Sequence, residues 1–131
     1  MALSLGPIGQ IAFNVTNADV SEKFYQEVLG LRKLYRFGNL VFFDCNGLRL
    51  LLEQSDGARH LAPPGIYFRV ADIALAHAEL VKRGVELVEA PHLIAPMPDH
   101  DLWLLAFKDP DGHTLSLMME APKGYQLPGG Q

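Results

Sequence analysis

The sequence predicts an α+β fold made of two tandem β-α-β-β-β modules, and three observations predict it. A strand followed by a helix occurs twice: Ile8–Val15 with a helix ending at Gly30, and Ile66–Val70 with a helix ending at Gly84. The two occurrences keep one spacing, 55 residues from Val15 to Val70 and 54 from Gly30 to Gly84. Each helix is followed by two short strand candidates joined by a turn that ends in glycine, CNG at 45–47 and DPDG at 109–112. Two such modules satisfy their apolar faces by pairing. The expected architecture is one curved, cupped mixed sheet with the helices outside.

Each element has a local reason. IGQIAFNV (8–15) is apolar and β-branched, the composition of a strand. Thr16, Asn17 and Asp19 offer cap chemistry, and Glu22 stands three residues after Asp19 as in a capping box. Val20, Phe24, Val28 and Leu29 follow at helical spacing, and Gly30 suits the left-handed residue that ends a helix. Leu40–Asp44 and Leu48–Glu53 complete module 1, about residues 6–54. SDGARHLAPP (55–64) is polar, ends in two prolines and reads as a linker. In module 2, about 65–121, Asp72 caps a helix with Ile73, Ala76, Leu80 and Val81 on one stripe, followed by strands at Leu102–Phe107 and Thr114–Glu120. PHLIAPMPDHD (91–101) carries three prolines and two histidines and reads as a loop. The tail is 122–131, and the whole chain is expected to be one domain.

Composition narrows the function classes. With a formal charge of −4, a pI near 5.6 and no basic run, nucleic acid is not an expected partner. No apolar run is long enough for a membrane span. The opening MALSLGPIG lacks the charged and apolar regions of a signal peptide. The lone Cys45 can form no internal disulfide and no cysteine-rich zinc site, which fits a reducing, cytoplasmic setting.

FYQEVLGL (24–31), FRVADI (68–73) with RGVELVE after its helix, and AFKDPDGHTLSL (106–117) resemble the vicinal oxygen chelate superfamily. That superfamily holds glyoxalase I, extradiol dioxygenases, and fosfomycin- and bleomycin-resistance proteins. The resemblance spans roughly residues 8–120. It implies a homodimer. It also implies, in metal-dependent members, one divalent ion held by two ligands from each module. By position those ligands would be Gln10, Leu51, Gly65 and Ser116. Leucine and glycine offer no donor, and a serine hydroxyl is a poor neutral ligand. The expectation is therefore no cofactor, with DPDG acting as a β-turn. A divalent metal stays open through Glu53, which shares a face with Leu51, and through His92 and His100.

Strand alternation then gives the face toward a cavity: Gln10, Ala12 and Asn14; Tyr67 and Arg69; Arg49, Leu51 and Glu53; Thr114, Ser116, Met118 and Glu120. Gln10, Asn14, Tyr67, Arg69, Ser116 and Met118 are the expected ligand contacts, suited to an organic molecule, anionic and partly aromatic. Arg69 reads equally as a ligand contact or as a rim ion pair with Glu53 or Glu120, and Arg49 as a rim ion pair. His77 is expected to pack on the second helix and His113 to face away from the cavity. His60 lies in the linker. His100 sits between Asp99 and Asp101 in PDHD, a setting that can raise a histidine pKa. Trp103 either stacks on a ligand or fills the core. Cys45 has no activating cation nearby.

The lead reading is a small-molecule-binding protein without a complete family metal site. The alternative is a divalent-metal-dependent lyase, isomerase or dioxygenase, using Gln10, Glu53 and a histidine of the 92–100 segment. A metal-free enzyme would use His100 or Tyr67 as acid or base. An interaction module would fill its own cavity with Leu51, Met118 and Trp103.

Overall fold

The computed structural model describes residues 7–55 and 65–129. The chain divides into two compact units, Met1–Ala62 and Pro63–Gln131. Apart from Ser55, the expected linker and His60 lie outside the described residues.

The first unit runs β1 (Gln10–Val15), α1 (Ala18–Lys23), a π-helical turn at Phe24–Val28, β2 (Arg32–Phe37), β3 (Leu40–Cys45) and β4 (Leu48–Gln54). Its sheet order is β1-β4-β3-β2, with β1 and β4 parallel and the other pairs antiparallel. The second unit runs β5 (Ile66–Arg69), α2 (Ile73–Lys82), β6 (Leu87–Pro96), β7 (Asp101–Lys108) and β8 (Thr114–Ala121). Its order is β5-β8-β7-β6, with β5 and β8 parallel. The α+β class holds, and each predicted module folds as one four-stranded mixed sheet with its helix on one face.

Alternation places the cores as expected. Phe13 and Val15 are buried while Gln10 and Ala12 are exposed, and Leu115, Leu117 and Met119 are buried while Thr114 and Glu120 are exposed. Tyr25, fully buried, anchors the first core between Phe13 and Phe43, at ring-centroid distances of 6.1 and 6.0 Å. Trp103 is buried in the second core. In α2, Asp72 Oδ1 accepts from the Leu75 N–H at 3.1 Å, and Val85 N–H returns to the Leu80 carbonyl at 3.0 Å across Gly84 at φ 73°.

Four expectations need correction. Of the three cap candidates of α1 it is Asn17 that caps, its Oδ1 accepting from Val20 N–H at 3.2 Å, and the expected Asp19–Glu22 capping box does not form. Its buried residues are Ala18 and Ser21, followed by Tyr25 in the π turn, whereas Val20 is 46% exposed. Tertiary burial selected a stripe containing serine, which hydropathy alone passes over. Next, 91–96 is strand rather than loop. Its prolines are tolerated because β6 is a sheet edge with three register shifts against β7. Finally, β2 escaped notice because RKLYRF is an edge strand whose buried/exposed pattern is broken by a bulge at Lys33/Tyr35.

Glu22 instead fastens α1 to β2. Its carboxylate takes Lys33 Nζ at 2.6 Å and Arg36 Nη1 at 2.6 Å, and these hydrogen bonds hold its pKa below the ordinary 4.5. A depressed folded-state pKa contributes stability above the unfolded value and loses it as pH falls through the folded one. Glu22→Gln is therefore expected to flatten the acid side of the stability curve below about pH 4.5. Urea midpoints from pH 7 downward test this, and parallel wild-type and variant curves would refute it.

Candidate functional site

Each sheet carries one face away from its helix, and the expected site residues lie there. On the first unit, register aligns Gln10 with Arg49 and Asp44, and Ala12 with Leu51, Phe42 and Tyr35. Arg49 does not form the expected rim ion pair. Its Nε donates to Gln10 Oε1 at 2.8 Å, and its guanidinium lies over the Phe42 ring, 5.8 Å from the centroid. The neighbouring Asp44 is turned elsewhere, accepting from Gly47 N–H at 3.0 Å and facing Arg32 at 3.5 Å. Among the described residues, Arg49 has no carboxylate partner. Tyr35 stacks at 4.6 Å on Phe42 and 5.3 Å from Phe37, and Tyr35 and Phe37 are 41% and 66% exposed. Sequence reading missed this aromatic group because β2 itself was missed. Asn14 serves the strand ends: its amide donates to Ser55 Oγ at 2.9 Å. Glu53 is exposed, and Leu51 is half-buried.

On the second unit, Tyr67 pairs in register with Ser116 and Ala106, and Arg69 with Met118, Leu104 and His92. Arg69 forms the rim ion pair with Glu120. Glu120 also faces His100 Nε2 at 3.8 Å, and His100 Nδ1 lies 2.8 Å from Asp99 Oδ1. The His100 hydrogen bond holds the Asp99 carboxyl below its usual range. His92 is on β6, with Nδ1 2.8 Å from the Ala90 carbonyl and Nε2 3.6 Å from Glu89. The two histidines thus serve different carboxylates. Tyr67 is 58% exposed, while Ser116 and Met118 are half-buried.

The DPDG stretch is a turn organised by Asp109. Asp109 Oδ1 accepts from the N–H groups of Asp111 at 3.0 Å and His113 at 2.9 Å, and its carbonyl accepts from Gly112 at 2.9 Å. Gly112 has φ 84°, where a Cβ would be strained. Asp109 and His113 are buried, and ligand-type atoms of Asp109, Asp111 and His113 lie within 4.8 Å of one another. Two carboxylates and an imidazole are donors that divalent ions accept. The sequence suggested DPDG as a turn and His113 as facing away from the cavity, because the superfamily positions put a metal elsewhere. Cys45 is no nucleophile candidate: burial pushes its thiol pKa up, and Asp44 adds to the effect.

The sequence matches the family described as the Glyoxalase/Bleomycin resistance protein/Dioxygenase superfamily over residues 7–117. The chain belongs to this superfamily. It is 29% identical over 117 residues to the metallothiol transferase FosB of Lysinibacillus sphaericus (strain C3-41), covering 85% of this chain and 80% of that protein. Among solved structures it is similar to lactoylglutathione lyase from Agrobacterium tumefaciens, with TM-score 0.73 and 20% identity over 92% of this chain and 98% of the other. An integron cassette protein from the mobile metagenome of V. cholerae gives TM-score 0.75 at 15% identity, over 92% and 100% of the two chains. These structures share the superfamily fold.

Against the metal centre that superfamily membership suggests, Gln10, Leu51, Gly65 and Ser116 are a poor donor set. Gln10 Oε1 is bonded to Arg49, Leu51 and Gly65 have no donor, and Ser116 offers one neutral hydroxyl. These four do not fit a divalent ion. Among the described residues, no helix is long and apolar enough to cross a membrane.

Proposed function

We propose that the chain binds a small organic anion bearing an aromatic group, with no complete metal site at the four superfamily positions. One observation carries this reading. The Arg49 guanidinium is held by a neutral amide over Phe42, with no carboxylate partner among the described residues, and the exposed Tyr35 ring packs against the same Phe42 and against Phe37. A planar fork of this kind suits a carboxylate, and exposed rings suit a flat apolar group. In this reading Gln10 orients Arg49, and Asn14 stiffens the strand ends. The second unit presents a ligand face of its own, where Tyr67, Arg69, Ser116 and Met118 offer polar and soft apolar contacts to the same class of molecule, with His100 at the Glu120 rim.

The test is calorimetry with 2-naphthoate on EDTA-treated protein, repeated with zinc, manganese and nickel. Binding of equal affinity with and without metal is expected. Binding that appears only with a stoichiometric metal would overturn the reading.

The second reading is a metal-dependent transferase, lyase, isomerase or dioxygenase. It is favoured by the Asp109, Asp111 and His113 cluster and by the name of the FosB relative. An ion there would supply Lewis-acid polarisation of a bound oxygen. Loss of manganese or zinc binding in Asp111→Asn would support that site, and unchanged binding would exclude it.

The functional unit in this proposal is a homodimer in the cytoplasm, a setting consistent with the reduced Cys45. A monomeric mass by light scattering, or absence from the cytosolic fraction, would remove those parts of it.

A further inference from the structure

Residues 122–125 do more than trail from β8. They fold into a turn, with Tyr125 N–H donating to the Pro122 carbonyl at 3.0 Å and Gly124 at φ 84°. From that turn Lys123 Nζ donates to the Met97 carbonyl at 2.9 Å and to Asp101 Oδ1 at 2.9 Å. Gly124 N–H donates to Asp101 Oδ2, also at 2.9 Å. Both oxygens of a carboxylate whose side chain is 10% exposed are thereby held by one short segment. Tyr125 then sets its ring edge-on to Trp103, 5.4 Å between centroids, two residues further along β7.

Met97 and Asp101 are the two ends of the segment that carries His100. Met97 N–H donates to the His100 carbonyl at 2.8 Å, closing that segment into a tight turn. Inside it the His100 ring stands between Asp99 and Glu120, the carboxylate that pairs with Arg69. The connection between β6 and β7 is only four residues long, 97–100, at a proline-rich sheet edge. Clamping both of its ends reduces the conformations open to the side chain at its tip.

We infer that Lys123 is a positioning residue for the ligand face of the second unit: with Gly124 it clamps Met97 and Asp101, and so holds His100 against Glu120 beside Arg69. The bearing of this clamp on ligand rests on the reading given under Proposed function; the clamp itself does not. Lys123 removes no contact from the open face when replaced, since it reaches only the base of the turn. Its side chain is 49% exposed, so Lys123→Met leaves the core intact.

The test compares wild type, Lys123→Met and Lys123→Arg by NMR, with Asp101→Asn as a second variant that breaks the clamp from its other side. In Lys123→Met the Met97 amide is expected to exchange at least about fivefold faster through local opening. The His100 imidazole signals, assigned with His100→Gln, are expected to move toward those of a solvated histidine. The affinity for 2-naphthoate is expected to fall about fivefold, within the range of an ordering cost lost from a binding site. Lys123→Arg, which keeps the charge and the reach, restores all three. A folded Lys123→Met with wild-type Met97 exchange and His100 signals would overturn the clamp. Loosened exchange with unchanged 2-naphthoate affinity would overturn its link to ligand. If wild type itself ignores 2-naphthoate, the ligand reading fails, and the Met97 and His100 signals alone decide the clamp.

Discussion

Asp109→Ala is expected to lose about 3 kcal/mol of folding stability, read as a lower denaturant midpoint with an unchanged slope. The residue is 5% exposed, and its Oδ1 accepts from two backbone N–H groups in the turn between β7 and β8. Alanine leaves the Asp111 and His113 N–H groups without that acceptor, the His113 bond in a buried setting, and each such loss costs about 1–3 kcal/mol. The consequence reaches the ligand face. This turn fixes Thr114 opposite Lys108, Ser116 opposite Ala106 and Met118 opposite Leu104. A slip of one residue would carry Leu115 and Leu117 to the open side and Ser116 and Met118 to the core. Asp109→Asn keeps an oxygen at the same place and should recover most of the loss. Equal destabilisation by alanine and asparagine would mean that charge, not the acceptor, matters.

Arg49→Met should weaken 2-naphthoate binding about thirtyfold, roughly the 2 kcal/mol of a charge-assisted fork to a carboxylate. Methionine keeps an apolar stem near Phe42, so the loss isolates the guanidinium. Arg49→Lys keeps the charge but not the planar fork, and about a fivefold loss is expected. The fold should be indifferent, because Arg49 is exposed and its contacts are with the Gln10 amide and the Phe42 ring. Calorimetry at low salt measures this directly. Wild-type affinity in Arg49→Met would move the anion site away from the first sheet.

The legible part of the site was the part governed by period two. Gln10 and Ala12 against Phe13 and Val15, and Ser116 and Met118 against Leu115 and Leu117, sort to open and buried faces by alternation alone. Asp72 and Gly84 were equally readable, since a cap and a helix stop act within four residues. Less readable were segments whose chemistry argues against their state. The prolines of β6 are acceptable only on an edge strand, and edge position belongs to the sheet rather than to PHLIAP. The buried stripe of α1 includes Ser21, chosen by which side of the helix meets β3 and β4.

The sequence by itself determined two repeated modules, their strand parity, the α2 boundaries and the turn character of DPDG, because each follows from backbone sterics or side-chain spacing over a few residues. Only the tertiary structure decided that Gln10 meets Arg49 across 39 positions, that Tyr35 stacks on Phe42, that Arg69 pairs with Glu120 across 51, and that Lys123 reaches back 26 to Met97. Those partners are set by strand register and sheet order, which close long loops. No local pattern of side chains records which distant strand will lie alongside.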